Sequence, residues 1–204
     1  MTKNKYLFPL IMVTSLFFMW GFVHNLDPIL IPHLKKSFSL STLQSSLVDS
    51  SVFIAYLLMA LPAGMLMKKY GYKAGIITGL LLFSLGSFLF IPAANTQQYL
   101  FFLGALFIIA CGLTILETAG NPYVSSLGDP STATRRLNFA QSFNGLAATM
   151  APILGARIIL TKGFSDEQLN AMSESARQLA LASEASSVKG PYFVLGSIIL
   201  VVAI

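Results

Sequence analysis

The sequence has 204 residues, of which 55% are hydrophobic and only 10% are charged. Soluble domains carry roughly 25% charged residues; this chain has too few to cover a water-facing surface and reads as an all-α polytopic membrane protein. Its net charge of +5 is too sparse and scattered for a nucleic-acid footprint, and its single cysteine, Cys111, leaves no intrachain disulfide and no cysteine-built metal site.

About 20 helical residues cross the ~30 Å of hydrocarbon in a bilayer. The first run that qualifies, 6–34, follows Lys3 and Lys5. It is longer than a signal-peptide core and no small-residue cleavage site follows it, so it reads as an uncleaved span. Lys35, Lys36 and Ser37 separate it from a second run, 42–67. A basic turn containing Lys68, Lys69, Gly71 and Lys73 leads to a third, 74–94, and an uncharged break to a fourth, 99–127. Gly128, Asp129, Pro130 and Ser131 open a turn that ends in Arg135 and Arg136 before the fifth run, 137–161. The stretch 162–190 is the soluble-looking one. Ser165 and Gln168 form a capping box, and Leu169, Met172, Ala176 and Leu179 lie on one face. That pattern predicts an amphipathic helix on the outer membrane surface, with a substrate lid as the alternative. A sixth run begins at Pro191 and is still apolar at Ile204. Fourteen residues rise only ~21 Å, so 1–204 reads as one six-helix unit, the N-terminal part of a longer protein. With the N-terminus inside, Lys3, Lys5, Lys68, Lys69, Lys73, Arg135 and Arg136 face the cytoplasm, against Lys35 and Lys36 in the opposite short loops. That bias supports the orientation.

A carboxylate at the centre of a membrane helix costs about 2.5–3.5 kcal/mol on insertion scales, which makes it a functional candidate by default. Glu117 stands 18 residues into the fourth run, with Thr114 and Asn121 on its face and Pro122 beyond. The antiparallel fifth run presents Asn138, Gln141 and Asn144 on one sector, Asn144 at a depth close to that of Glu117. Interhelical hydrogen bonding accounts for amides in such places, but it does not require a charge. Asp27 and Asp49 lie nearer the outer ends of the first two runs, where a wetted vestibule would also hold them. His24 is placed to pair with Asp27, and His33 beside the loop reads as interfacial. The two histidines have no zinc-type spacing, no nucleophile–base pair is present and no loop is built to grip phosphate. Neither a metal nor a cofactor is expected. An acid in a cavity of amides points to a polyhydroxylated, uncharged substrate moved by a proton gradient.

The segments MKKYGYKAGIITGL (67–80), LETAGNPYV (116–124) and LNFAQSFN (137–144) resemble the fucose and glucose/galactose permease branch of the major facilitator superfamily. The resemblance implies twelve helices in two halves with 3+3 inverted repeats inside each half, of which this chain matches the N-terminal half; a C-terminal six-helix half would be its partner. It further implies that Glu117 carries the proton, that Asn144 contacts sugar and that Asn25 is another polar position on the first helix. Asn121 and Gln141 join the sugar-binding candidates; Asp27 and, more weakly, Asp49 join the proton-coupling ones. The branch reads Asn-Leu-Asn-Asp on the first helix where this chain has Asn25-Leu26-Asp27-Pro28, so the acid is displaced by one residue.

The expected function is proton-coupled uptake of L-fucose or a related hexose across a bacterial inner membrane, by a multi-pass protein with its N-terminus in the cytoplasm. A glucose/galactose carrier of the same branch and a non-transporting sugar sensor are the alternatives. An intramembrane enzyme ranks third.

Overall fold

The structure, a computed structural model, describes residues 5–38, 40–96, 98–159 and 164–204, without the side chains of Asp27, Pro28, Ile158, Ile159 and Asp166. Among the described residues every regular element is a helix, as lipid demands when backbone groups have no water to bond. α1 (Leu7–His24) and α2 (Asp27–Ser37) occupy the first apolar run, α3 (Thr42–Thr96) the second and third, α4 (Tyr99–Ser126) the fourth and α5 (Ala133–Ile159) the fifth. Short helices α6 (Asp166–Ala171) and α7 (Glu174–Ser186) lead into α8 (Lys189–Ala203).

Four described stretches are long and apolar enough to cross a membrane: Leu7–Ser37, Thr42–Thr96, Tyr99–Ser126 and Glu174–Ala203. α5, with 27 residues, is long enough at ~40 Å but not apolar enough. Its Asn138, Gln141 and Asn144 fall within one sector of about 120°, as on a helix with one side facing the bundle interior, and Arg135, Arg136 and Arg157 stand in its terminal turns.

The first run is two helices rather than one. α1 stops at His24, Asn25 adopts φ −91° and ψ 10°, and Asp27 and Pro28 open α2. Proline has no N–H, so the carbonyl of His24, four residues earlier, has no helical donor there. The basic turn expected at 68–73 is smaller than the sequence suggested: helix continues on both sides of Gly71, whose φ of 81° and ψ of 170° alone leave helical geometry. Glycine takes that conformation without a Cβ clash. At 55 residues α3 would be ~80 Å long if straight, and the break at Gly71 divides it into two arms.

α3 packs most extensively on α4 and also on α8, and α1 packs on α5. The α3–α4 approach is close because glycines meet there. A Cβ on Gly112 would fall 2.6 Å from the Gly79 carbonyl oxygen and 2.6 Å from the Phe83 backbone nitrogen. On the α8 side Ser84 Oγ donates to the Gly196 carbonyl at 2.8 Å, and the Phe90 and Tyr192 rings stack at 3.9 Å.

Arg136 closes the α4–α5 turn. Its guanidinium donates to the carbonyls of Val124 (3.3 Å), Ser125 (2.9 Å) and Asp129 (2.9 Å), and to Thr132 Oγ1 (2.5 Å). The first two acceptors are C-terminal carbonyls of α4, at the negative end of its dipole, and the Val124 carbonyl also accepts the Leu127 N–H. The Ser131 N–H, 2.9 Å away, helps hold the exposed Asp129 carboxyl below the usual carboxylate range. Arg136→Ala should lower stability by about 1.5–3 kcal/mol, the range for hydrogen bonds to a charged group. Arg136→Lys should fail to restore it, because an ammonium lacks the planar fork. Thermal unfolding of the two variants beside exposed Arg135→Ala checks this; equal midpoints in all three would remove the capping role.

At the opposite end of the bundle α7 is fastened to α2. Glu184 is 1% exposed, and its Oε1 accepts from Lys36 Nζ (3.1 Å) and the Phe164 N–H (2.6 Å). Lys36 also donates to the Phe164 carbonyl. His33 Nε2 lies 2.8 Å from the Glu184 carbonyl oxygen and 3.1 Å from Ser187 Oγ. The interfacial reading of His33 is therefore corrected: it is 5% exposed and bonded to a residue 151 positions away. The capping box at Ser165 and Gln168 is present, but it opens a six-residue helix. Ser173 caps a second start, which puts Leu179 outward at 73% exposure and Ala180 inward. The single amphipathic face of the sequence reading is thus two faces.

Candidate functional site

The polar side chains at depth converge on one cavity of about 410 Å³, within the range of small-ligand sites. Trp20 and His24 reach it from α1, Val52, Phe53 and Tyr56 from the first arm of α3, Glu117 from α4, and Gln141 and Asn144 from α5. Each set follows helical spacing: 20 and 24, 52 and 56, and 141 and 144 are three or four apart and share a face.

The α1–α5 contact sets the height of Asn144. A Cβ on Gly21 would lie 2.9 Å from the Asn144 carbonyl oxygen and 2.8 Å from its Cγ, so the amide presses directly on the α1 backbone. One residue earlier on α1, Trp20 is held edge to face against Phe17 with centroids 5.4 Å apart. Gln141 Nε2 donates to Asn121 Oδ1 at 3.0 Å, tying α5 to α4 beside the cavity. Gln141 keeps its own carbonyl oxygen and a second N–H for another partner.

Glu117 is half-buried, hydrogen-bonded to the Tyr56 side chain and within electrostatic reach of His24. The His24 and Tyr56 rings are 6.4 Å apart. One acid, one imidazole, one phenol and two amides thus face a shared space with an indole and a phenyl ring. Such a set can exchange hydrogen bonds with several hydroxyls, bury the apolar face of a sugar ring on an aromatic, and bind or release a proton.

Of the residues singled out by sequence, Glu117, Gln141 and Asn144 line the cavity, and Asn121 stands behind Gln141 as its acceptor. Asn25 does not line it: its Nδ2 donates to the Gly21 carbonyl at 2.7 Å, at the end of α1. Asp49 is exposed and outside the lining, although it shares a face with Val52, Phe53 and Tyr56. The side chain of Asp27 lies outside the described residues, so the His24–Asp27 pairing has no geometry here; His24 is placed with Tyr56 and Glu117. Sequence reasoning missed Trp20, Phe53 and Tyr56 as cavity residues. Their signal was positional: Trp20 is four residues before His24, and Tyr56 seven after Asp49 on its face.

Comparison with known proteins agrees with this architecture. The family described as Major Facilitator Superfamily matches residues 10–204. A glucose/galactose transporter of Brucella abortus is 46% identical over 203 residues, covering 100% of this chain and 46% of that protein. The L-fucose-proton symporter of Escherichia coli K12 is 43% identical over 204 residues, covering 99% of this chain and 47% of that protein. The crystal structure of the transporter FucP in the outward conformation superposes with a TM-score of 0.85 at 44% identity, over 97% of this chain and 48% of that one. The chain spans about half the length of the relatives it matches. A family match along nearly all of the sequence and a shared backbone lead to one conclusion: the chain belongs to the Major Facilitator Superfamily.

Proposed function

We propose that this chain forms the N-terminal six-helix half of a sugar–proton symporter that takes up L-fucose or a related hexose by alternating access. It would sit in a bacterial inner membrane with its N-terminus in the cytoplasm, beside a C-terminal half that supplies the other wall. The observation that carries this reading is the placement of Glu117 against Gln141, Asn144 and Trp20 in one cavity. Glu117 is the proton carrier in this reading. Asn144 and Gln141 bind sugar hydroxyls, and Asn121 orients Gln141. Asp27 is a second coupling candidate and Asp49 a weaker one.

A glucose/galactose carrier is the second reading, favoured by the Brucella relative. Counterflow of labelled L-fucose, galactose and glucose in vesicles holding the complete carrier ranks the three. No counterflow of any of them would leave only a sensor.

Asn144→Ala should weaken sugar binding about tenfold, within the 1–3 kcal/mol expected when buried polar groups lose a partner. The pH optimum of uptake should stay in place. Half-saturation concentrations across a pH series check this, and a moved optimum with unchanged affinity would reassign Asn144 to the proton step.

A further inference from the structure

The cavity brings together an acid and a base on different helices, and both interact with one phenol. We propose that His24 is a second proton-carrying group of this cavity, exchanging a proton with Glu117 through the Tyr56 hydroxyl. The proposal rests on the reading of Glu117 as the coupling carboxylate and adds a partner to it.

Three placements support it. Tyr56 is hydrogen-bonded to the Glu117 side chain, and its ring stands 6.4 Å from the His24 ring. His24 is also the last residue of α1, where the helix is broken at membrane depth. A helix C-terminus stabilises a cation, and Pro28 leaves the carbonyl of His24 without its helical donor, so the break adds negative potential where an imidazolium would form. Finally, the chain's other histidine, His33, is buried against Glu184 and Ser187, whereas His24 is exposed to the cavity.

The transfer balances simply. The proton leaves a Glu117 carboxyl oxygen for the Tyr56 oxygen, while the Tyr56 hydroxyl proton passes to an imidazole nitrogen. A neutral acid and a neutral imidazole become a carboxylate and an imidazolium, and Tyr56 is regenerated. The pair has zero net charge before and after, which avoids placing an isolated charge in a poorly solvated site.

The groups facing His24 are few. α3 supplies Tyr56, with Asp49 nearly two turns further along and outside the lining. α4 supplies Glu117, α5 the uncharged Gln141 and Asn144, and α8 contributes Tyr192 to a small adjoining space. On α2, His33 is engaged with α7, and the Asp27 side chain lies outside the described residues.

The test uses the complete carrier in vesicles, with His24→Gln and Tyr56→Phe measured beside Glu117→Gln. Both new variants should lose gradient-driven accumulation by about tenfold or more relative to their own downhill exchange, and shift the pH profile of uptake in the range where imidazole titrates. A nitrogen-15 resonance of the His24 ring, assigned by its loss in His24→Gln, should change protonation at fixed pH when L-fucose is added to the unsubstituted carrier. That measurement decides the matter if Tyr56→Phe fails to fold, and the loss of the signal in His24→Asn supplies the assignment if His24→Gln does. Full accumulation with an unmoved pH profile in His24→Gln, or an imidazole resonance indifferent to sugar, overturns the proposal and leaves Glu117 without a histidine partner. Retained accumulation in Glu117→Gln sinks the parent reading instead.

Discussion

Glu117→Gln is expected to abolish gradient-driven sugar accumulation while sparing downhill exchange. Glutamine keeps the size of the protonated acid and can still bond Tyr56, but it has no proton to release. The size of the effect follows from the driving force. One charge moved across 100 mV carries about 2.3 kcal/mol, which supports roughly fifty-fold accumulation at 1.4 kcal/mol per tenfold. The variant should bring the inside-to-outside ratio down to about one, since an uncoupled carrier only equilibrates its substrate. Steady-state ratios in energised vesicles, paired with counterflow in de-energised ones, give both numbers. Fifty-fold accumulation by the glutamine variant would show that another acid couples, with Asp27 first in line.

The second large effect concerns the packing that holds the cavity together. Gly112→Val should separate α3 from α4, because even the first added carbon would lie 2.6 Å from two backbone atoms that no rotamer change can move. Overpacking of ordinary cores costs about 1–3 kcal/mol and sometimes more; here the obstacle is backbone, so the valine variant should lie beyond that range and the alanine variant within it. The buried thiol of Cys111, next in the chain, provides the readout. Its reaction with a thiol-specific fluorophore on heating should begin at a lower temperature in Gly112→Val. Gly104→Val should leave it unchanged, since nothing stands within 4 Å of a Cβ there. Identical reaction profiles for the two would mean that the approach of α3 to α4 is looser than the glycine contacts require.

Much of this arrangement was legible in the sequence because a bilayer imposes simple rules. Long apolar runs gave the helices, and the rarity of charge at depth singled out Glu117. The spacing of Gln141 and Asn144 placed them on one side of α5. Other features depend on partners far along the chain. Nothing near His33 announces that it is buried, because its partner Glu184 follows 151 residues later. The division of α6 from α7 turns on Ser173, a serine that reads as an ordinary polar position until its side chain is seen accepting the Ala176 N–H. Trp20, Phe53 and Tyr56 were not read as cavity residues because aromatics on apolar helices also suit lipid or core, and only the neighbouring helices decide between these.

The contact between Gly21 and Asn144 bears on how selectivity can be altered. The α1–α5 side of the cavity behaves as a fixed gauge: any side chain at 21 would displace the amide, so the two helices keep one register. The first arm of α3 is the adjustable side. Phe53 is 70% exposed, so a change in its size need not disturb the packed interior. A carrier retuned for a bulkier or slimmer hexose would therefore be sought among substitutions at Phe53, with Gly21 and Asn144 left as the reference from which the sugar is measured.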